Sequence, residues 1–250
     1  MSQSPTKLRA DQLLVERGMA PSRSRAADMI KRGCVMIAGT PITKPGQSLA
    51  PDSTIEVDDA ASNYVSRAAL KLVGALDDTG WNVSQSEALD LGASTGGFTQ
   101  VLLERGASHV IALDVGHGQL ADEIRQDKRT TVLEHFNARD LNATHLPCVP
   151  DFIVSDMSFV SLRIAAEPAL LLAAPAARCI LLVKPQFEVG RDGIGKGGLV
   201  RDEALVPPML DTMRDWLNGL AGWRATHLLP SAIRGGDGNQ EYLLCGVRDD

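Results

Sequence analysis

From about residue 64 onward, short apolar runs alternate with stretches whose apolar positions recur every three or four residues. The runs predict strands over 88–91, 110–114, 131–134, 152–156 and 179–184, with two more near 223–229 and 241–247. The periodic stretches predict helices over 66–75, 98–104, 119–125, 165–174 and 204–217. Strands that alternate with helices point to an α/β fold with a largely parallel sheet covered on both faces. Residues 7–58 read differently. Leu8, Leu13 and Leu14 mark a first helix closed by Gly18. Ser22 or Ser24 caps a second that carries Ala26, Ala27, Met29 and Ile30 and stops at Gly33. Short strands follow over 34–37, near Ile42 and over 54–57, separated by turns at Gly39-Thr40, Pro45-Gly46 and Pro51-Asp52. Residues 58–65 read as a linker, so the chain divides into a small α+β module over 1–60 and a larger unit over 61–250.

Charge sharpens that division. The whole chain carries a net charge of −6, which by itself argues against nucleic acid. Residues 1–50, however, hold eight Lys/Arg against three Asp/Glu, a balance of +5. A basic module joined to an acidic one is expected to differ from it in partner. Arg23, Arg25, Lys31 and Arg32 surround the second helix, with Lys7, Arg9 and Arg17 nearby. Asp28 is spaced to pair with Arg25 and Arg32, which would neutralise only part of this surplus. The remainder suits phosphate contacts. With no aromatics interleaved, shape recognition of folded RNA fits better than base stacking on a single strand.

The four cysteines, Cys34, Cys148, Cys179 and Cys245, form no CxxC pair, and their spacing fits no zinc site. Reduced thiols in a cytoplasm are the simplest reading. The first 20 residues lack the apolar core of a signal peptide. The most apolar stretch, 165–183, is interrupted by Glu167, Pro168, Pro175 and Arg178, so no membrane span is expected.

The chemistry gathers at the strand tips, where open α/β sheets bind their ligands. Asp90-Leu91-Gly92-Ala93-Ser94-Thr95-Gly96-Gly97-Phe98 follows the first strand of the larger unit and opens a helix. Asp114 ends the next strand, 22 residues after Gly92, where a carboxylate can accept both hydroxyls of a ribose. The spacing is G-x-x-x-G-G rather than G-x-G-x-x-G, which weakens a nicotinamide reading. Asp156 and Lys184 end two further apolar runs, and Glu241 opens the last. Taken singly, each has an ordinary alternative. Lys71 reads as a solvated helix residue, Lys184 as a lysine reaching back to solvent, Asp156 as a turn cap through Ser158, and Glu241 as an exposed edge residue. Two lysines and two carboxylates placed together can instead hold a hydroxyl and adjust its proton without a metal.

The loop from Asp90 to Phe98, Asp156, Leu182-Val183-Lys184-Pro185 and Asn239-Gln240-Glu241-Tyr242 resemble the FtsJ-type RNA ribose 2′-O-methyltransferases. Tyr64-Val65-Ser66-Arg67, Lys184-Pro185-Gln186-Phe187-Glu188, Gly195-Lys196-Gly197-Gly198 and Gly238-Asn239 are similar to motifs of the TlyA family, often labelled hemolysin A. Residues 7–58 resemble the S4-type RNA-binding domain that precedes its catalytic domain. Two places depart from the family pattern. Ala68 and Ala69 stand where two glycines are usual, and Ser231-Ala232-Ile233-Arg234 replaces Ser-Pro-Ile-Lys.

The resemblance implies a Rossmann-like class I methyltransferase domain that binds S-adenosylmethionine through Gly92, Ala93, Ser94, Gly96, Gly97, Phe98, Asp114, Asn137 and Asp156. It implies catalysis by Lys71, Asp156, Lys184 and Glu241, with Lys184 central. A second lysine beside Lys184 would favour its neutral form, while Asp156 and Glu241 would orient it and oppose that effect. It also implies ribosomal RNA as substrate, a cytidine as target, and docking through Arg9, Arg17, Arg23, Arg25, Lys31 and Arg32. A monomer is compatible with all of this. Two rivals stand beside it: a nicotinamide-dependent oxidoreductase using the same loop, and a membrane-active hemolysin.

Overall fold

The computed structural model describes residues 7–249. The chain forms two compact units that divide between Ser62 and Asn63. In the first unit, β1 (Leu8–Arg9) leads into α1 (Ala10–Glu16) and α2 (Arg23–Lys31). Then come β2 (Val35–Ile37), β3 (Thr40–Pro41), β4 (Ser48–Leu49) and β5 (Ile55–Val57). Strand β2 lies between β3 and β5, antiparallel to both, while β1 pairs with β4. Leu8, expected in the first helix, is therefore in a strand. Its backbone is drawn into the pairing with Leu49, and the helix begins only at Ala10. Ser22 caps α2, its side chain accepting a hydrogen bond from the Arg25 amide at 3.2 Å. Gly18 and Gly33, at φ +70° and +77°, end the two helices. Ala10, Leu13, Leu14, Ala26, Met29, Ile30, Val35 and Ile55 make a small core of their own.

The second unit opens with α3 (Ala69–Thr79) and then alternates. The order is β6 (Glu87–Leu91), α4 (Gly97–Glu104), β7 (His109–Leu113), α5 (Asp122–Arg125), β8 (Thr130–Leu133) and β9 (Phe152–Ser155). There follow α6 (Leu162–Leu171), β10 (Arg178–Val183), α7 (Pro185–Glu188), α8 (Val206–Gly219), β11 (Trp223–Pro230) and β12 (Tyr242–Arg248). The seven strands lie in the order β11-β12-β10-β9-β6-β7-β8. The five from β10 to β8 are parallel, and β12 runs antiparallel between β10 and β11.

Successive side chains of a strand face opposite sides of the sheet, and here each side is a separate core. Ala88, Val110, Ala112, Val154, Ile180 and Leu182 face α3 and α4, where Leu72, Leu76, Val101 and Leu102 meet them. Leu89, Leu91, Ile111, Ile153, Leu181 and Val183 face α6 and α8, against Ala166, Leu170, Met213 and Leu217. Both faces being covered, the central strands are mostly apolar, as a parallel sheet requires, with Asp90 of β6 and Ser155 of β9 as buried polar residues among them. Cys179 and Cys245 are buried in this sheet as free thiols, and burial pushes the Cys245 thiol up to about 12.

Several helix bounds differ from expectation. Helix α3 starts at Ala69 rather than Ser66, and Ser66 lies against Gly97, where an added Cβ would come within 2.9 Å of the Ser66 Cβ. Helix α6 starts at Leu162 and stops at Leu171. Its N-terminus is secured from a distance: Glu188 accepts the Leu162 amide at 2.7 Å and the Ser161 hydroxyl at 2.8 Å. Helix α5 is a single turn over Asp122–Arg125, and Pro207 and Pro208 sit in the first turn of α8, where amide hydrogens have no partner within the helix.

Candidate active site

The chain runs β6, β7, β8 to one side of the sheet and returns through β9 and β10 to the other. The reversal leaves a crevice beyond the carboxyl ends of β6 and β9. A cleft of about 1030 Å³ lies there. Asp114, Asp156 and Lys184 each sit one residue past the end of β7, β9 and β10. Glu241 immediately precedes β12. Since β12 is antiparallel and Tyr242 pairs with Val183, the start of β12 is level with the end of β10. Lys71 comes from the first turn of α3.

These four charged side chains converge. Lys184 Nζ is 2.6 Å from Asp156 Oδ1, and Lys71 Nζ is 2.6 Å from Glu241 Oε2 and 3.6 Å from Asp156 Oδ2. The Lys71–Glu241 contact is an ion pair that lacks the alignment of a hydrogen bond. Asp156 thus joins the two lysines, one through each oxygen. Lys71 is 6% exposed, Lys184 8% and Glu241 2%, so none is a solvated surface charge. Lys184 also donates to the Ser158 hydroxyl at 2.7 Å. Ser158 is therefore a partner of the lysine rather than of Asp156. Its position two residues beyond Asp156 is the one sequence signal that could have placed it.

The glycine loop is built on the same strand ends. Gly92 and Ala93 both donate to the Leu113 carbonyl, at 2.8 and 3.0 Å, which folds the loop over β7. Gly92 has φ +82°, and a side chain there would press on the Asp156 carbonyl oxygen at 3.0 Å. Gly92, Ala93, Ser94, Gly97, Phe98, Asp114, Asn137 and Asp156 all line the cleft. Gly96 is not among the lining residues. It turns the chain into α4 at φ +97°, with Leu120 Cδ1 2.8 Å from where its Cβ would be. Asp114 holds the loop as well as facing the cleft: Oδ2 accepts the Ser94 amide at 2.8 Å and Oδ1 the Gly116 amide at 2.7 Å. Both oxygens keep further lone pairs for a ligand. Asn137 accepts the Arg139 amide through its side chain at 3.1 Å. Apolar Val115, Phe136 and Met157 complete the walls.

The donor set suits S-adenosylmethionine. Asp114 and Asn137 offer acceptors and donors for a ribose, the apolar wall accepts an adenine, and the loop of small residues leaves room for an amino-acid chain. Three features of the cleft had been given no role, although Phe187, Gln186, Gly197, Gly198 and Asn239 lie in motifs quoted above. Phe159 is 92% exposed at φ +66°, its ring 5.5 Å from that of Phe187. A bulky residue held in that conformation is uncommon away from functional sites. Gly197 and Gly198 line the cleft on a strap fixed by Asn239, whose side chain accepts the Val200 amide at 3.1 Å and donates to the Gly198 carbonyl at 2.9 Å. Asp237 in turn accepts from Gln186 at 3.0 Å. Among the described residues no cluster of His, Cys, Asp and Glu could hold a metal ion.

In the first unit the six basic candidates separate into kinds. Arg9 and Arg23 are about half exposed, and both reach Asp11, at 2.9 and 3.1 Å. The Arg9 hydrogen bond, aided by Arg23, holds the Asp11 carboxyl down at about 2 although burial opposes this. Arg17 is exposed and donates to the Ser53 carbonyl at 2.6 Å and to that of Pro51. Arg25 donates to the Ala61 carbonyl, and Lys31 is exposed. Arg32 stands apart: its guanidinium forks onto Asp59 at 2.6 and 2.7 Å and onto Asp28 at 2.8 Å, with only 15% of the side chain exposed. Arg32 secures the end of this unit, whereas Arg9, Arg17, Arg23 and Lys31 face solvent.

The chain is similar to known proteins along nearly its whole length. Residues 64–248 match the FtsJ-like methyltransferase family and residues 8–55 match the S4 domain. The chain is 43% identical to a Mycobacterium tuberculosis protein, the 16S/23S rRNA (cytidine-2'-O)-methyltransferase TlyA, over 95% of this chain and 89% of that one. It is 38% identical to Hemolysin A of Brachyspira hyodysenteriae over 94% of this chain and 98% of that one. A solved structure described as a hemolysin candidate from Streptococcus thermophilus superposes with a TM-score of 0.74 at 34% identity, covering 98% of this chain and 90% of that one. With both domains matched in order and relatives aligned along nearly the whole chain, this protein belongs to the FtsJ-like methyltransferases, in the TlyA family that carries an S4 domain in front.

Proposed function

We propose that this protein transfers a methyl group from S-adenosylmethionine to a ribose 2′-hydroxyl in structured ribosomal RNA, at a cytidine, and works in the cytoplasm. The observation that carries the reading is the contact of Lys184 with Asp156 at 2.6 Å, at the base of the cleft lined by the glycine loop. When bound, the cofactor supplies an electrophilic methyl on a cationic sulfur. The remaining work falls to the protein. Asp114 and the loop amides fix the ligand in orientation, and reacting atoms held in line gain much of their rate from position alone. Lys184, buried and aimed by Asp156 and Ser158, sits where it can hold the 2′-hydroxyl and stabilise the negative charge that develops on its oxygen. Lys71 neutralises the second oxygen of Asp156 and is itself fixed by Glu241. The exposed ring of Phe159, backed by Phe187, offers a flat face for a base turned out of its stack.

Arg9, Arg17, Arg23 and Lys31 supply the phosphate contacts that dock the RNA. The relatives' printed substrates, 16S/23S and 23S rRNA cytidines, support this choice of target. The oxidoreductase rival loses its ground to the family match. The hemolysin name of some relatives finds no counterpart in the cleft, and no helix among the described residues is long and apolar enough to cross a membrane. The deciding experiment maps methylated riboses in ribosomal RNA incubated with purified protein and radiolabelled S-adenosylmethionine. Label at a ribose 2′-oxygen is the expected result. Label on a base, or lysis of lipid vesicles with no methyl transfer, would overturn the reading.

A further inference from the structure

Gln186 lies two residues beyond Lys184, on the short helix α7 between Pro185 and Phe187, and borders the cleft. Its amide is held in one orientation. Nε2 donates to Asp237 Oδ2 at 3.0 Å. A carboxylate offers acceptors and no donors, so turning the amide over would set oxygen against oxygen. Asp237 is fixed in its own turn: the Asn239 backbone amide donates to Oδ1 at 3.1 Å and the Asn239 side chain to Oδ2 at 2.9 Å. Asn239 is buried and is tied in turn to Gly198 and Val200 of the strap. The other end of the Gln186 amide is unsatisfied. Its Oε1 is buried and has no hydrogen-bond partner among the described residues. An acceptor left in that state costs the empty protein stability. Because the residue borders the cleft, a ligand can bring the donor.

The surroundings favour a base as that ligand. Phe159, Phe187, Gln186 and Asp237 line the cleft together with Lys184. Two residues of chain separate Lys184 from Gln186, at most about 7 Å between their Cα atoms. A nucleotide whose 2′-hydroxyl rests on Lys184 has its base one sugar ring away, a comparable distance. Unstacked bases are held by aromatic faces and read by hydrogen bonds along their polar edges. Cytosine presents an exocyclic amine, a donor, at the position where uracil presents a carbonyl, an acceptor. We propose that Gln186 is the specificity residue for the target base: its Oε1 accepts the exocyclic amine of a cytosine stacked at Phe159 and turns away uracil, whose carbonyl oxygen it would face. This rests on the ribose-methylation reading above and names the group that selects the base. A site built to pair with a polar group rejects the analogue that lacks it, because the buried partner is again left alone. Asp237 is a positioning residue one step behind. By accepting from Nε2 it keeps the oxygen, and not the nitrogen, toward the base.

The test uses the full chain and three synthetic fragments of ribosomal RNA that differ only at the methylated position found by mapping. That position carries cytidine, uridine, or a cytidine analogue with hydrogen in place of the exocyclic amine. The native protein should show a kcat/KM on the cytidine RNA about ten- to a hundredfold above that on the amine-free RNA, the range for one buried hydrogen bond. Uridine RNA should be poorer still. Gln186→Met removes the acceptor at similar length. It should cut the rate on cytidine RNA by the same factor and make the three RNAs converge. A merely structural role would lower all three alike and keep their ratios, and that result overturns the proposal. Equal rates of the native protein on cytidine and amine-free RNA overturn it too. If Gln186→Met does not fold, Asp237→Asn provides the check. An amide at that position donates as well as accepts, so Gln186 can turn over and offer Nε2 to uracil. Uridine RNA should then gain several-fold relative to cytidine RNA, and an unmoved ratio overturns the proposal. No methyl transfer by the native protein to any of the three sinks the ribose-methylation reading itself, an outcome distinct from transfer without base discrimination.

Discussion

Asp156 and Lys184 extend from adjacent parallel strands, β9 and β10, and meet at 2.6 Å, so the register of the sheet itself sets the spacing of the proposed catalytic pair. Lys184→Ala should fold and bind both substrates yet lose methyl transfer by about two to four orders of magnitude, the usual range for a lost acid–base group. Lys184→Arg should restore little, since a guanidinium stays protonated and does not match a compact ammonium between Asp156 and Ser158. A radiolabel transfer assay on ribosomal RNA decides both. Near-normal turnover in folded Lys184→Ala would remove Lys184 from the centre of the mechanism.

Asp114→Ala should weaken S-adenosylmethionine binding by about 1.5–3 kcal/mol, as expected for lost hydrogen bonds to a charged group. Part of that loss belongs to the loop, because the same carboxylate holds the Ser94 and Gly116 amides. Calorimetry against Asp114→Asn separates the two. The amide keeps one acceptor and should lose less, and equal affinity in all three proteins would place Asp114 outside the binding determinants.

Arg32 and Arg23 should behave oppositely. Arg32→Ala strands Asp59, whose side chain is fully buried, and is expected to destabilise the first unit by about 3–5 kcal/mol. Arg23→Ala should leave its melting nearly unchanged while weakening RNA binding and lowering its salt dependence by about one phosphate contact. Thermal unfolding and filter binding at several salt concentrations test the pair. A protein whose RNA affinity falls more on losing Arg32 than Arg23, with melting intact, would reverse the assignment.

Acid should loosen the first unit in a defined window. The Asp11 carboxyl is held at about 2 against an ordinary value of 3.8. Asp59 is also held low, where burial acts against this but the Arg32 bond and the Ala61 amide prevail. A carboxyl depressed by folding contributes stability that is present above its unfolded value and is lost as pH falls toward its folded one. Stability should therefore decline between pH about 4 and about 2, and Asp11→Asn should flatten that decline while costing stability at neutral pH. Circular dichroism across the range, reading the two units by their separate melting steps, measures it.

Much of this was legible in the sequence because the strands are apolar on both faces and end abruptly in charge. Leu182-Val183-Lys184 and Val154-Ser155-Asp156 carry both the strand and its functional tip in one reading. What was not legible depends on partners distant in sequence. Leu8 joins a strand only because Leu49 comes to meet it. Helix α6 begins at Leu162 because Glu188, 26 residues on, caps it. Arg32 could be counted as a basic residue, but its pairing could not be read, since Asp59 lies across an intervening sheet in the chain. Phe159 carried no periodic signal at all, because its exposure and backbone are set by the turn after Asp156 rather than by any regular element.

Gly92 presses so closely on β9 that an added methyl group would sit 3.0 Å from the Asp156 carbonyl oxygen and 3.0 Å from Met157 Cγ. The segment that would grip the cofactor and the residue that would steer the reaction are therefore not free to vary apart. A substitution at Gly92 would show its cost as misplaced chemistry, and a compensating change would have to arise around Asp156 and Met157. The two functions constitute one epistatic unit, and random mutagenesis of this protein should recover second-site suppressors of Gly92→Ala clustered at that strand end rather than elsewhere in the loop.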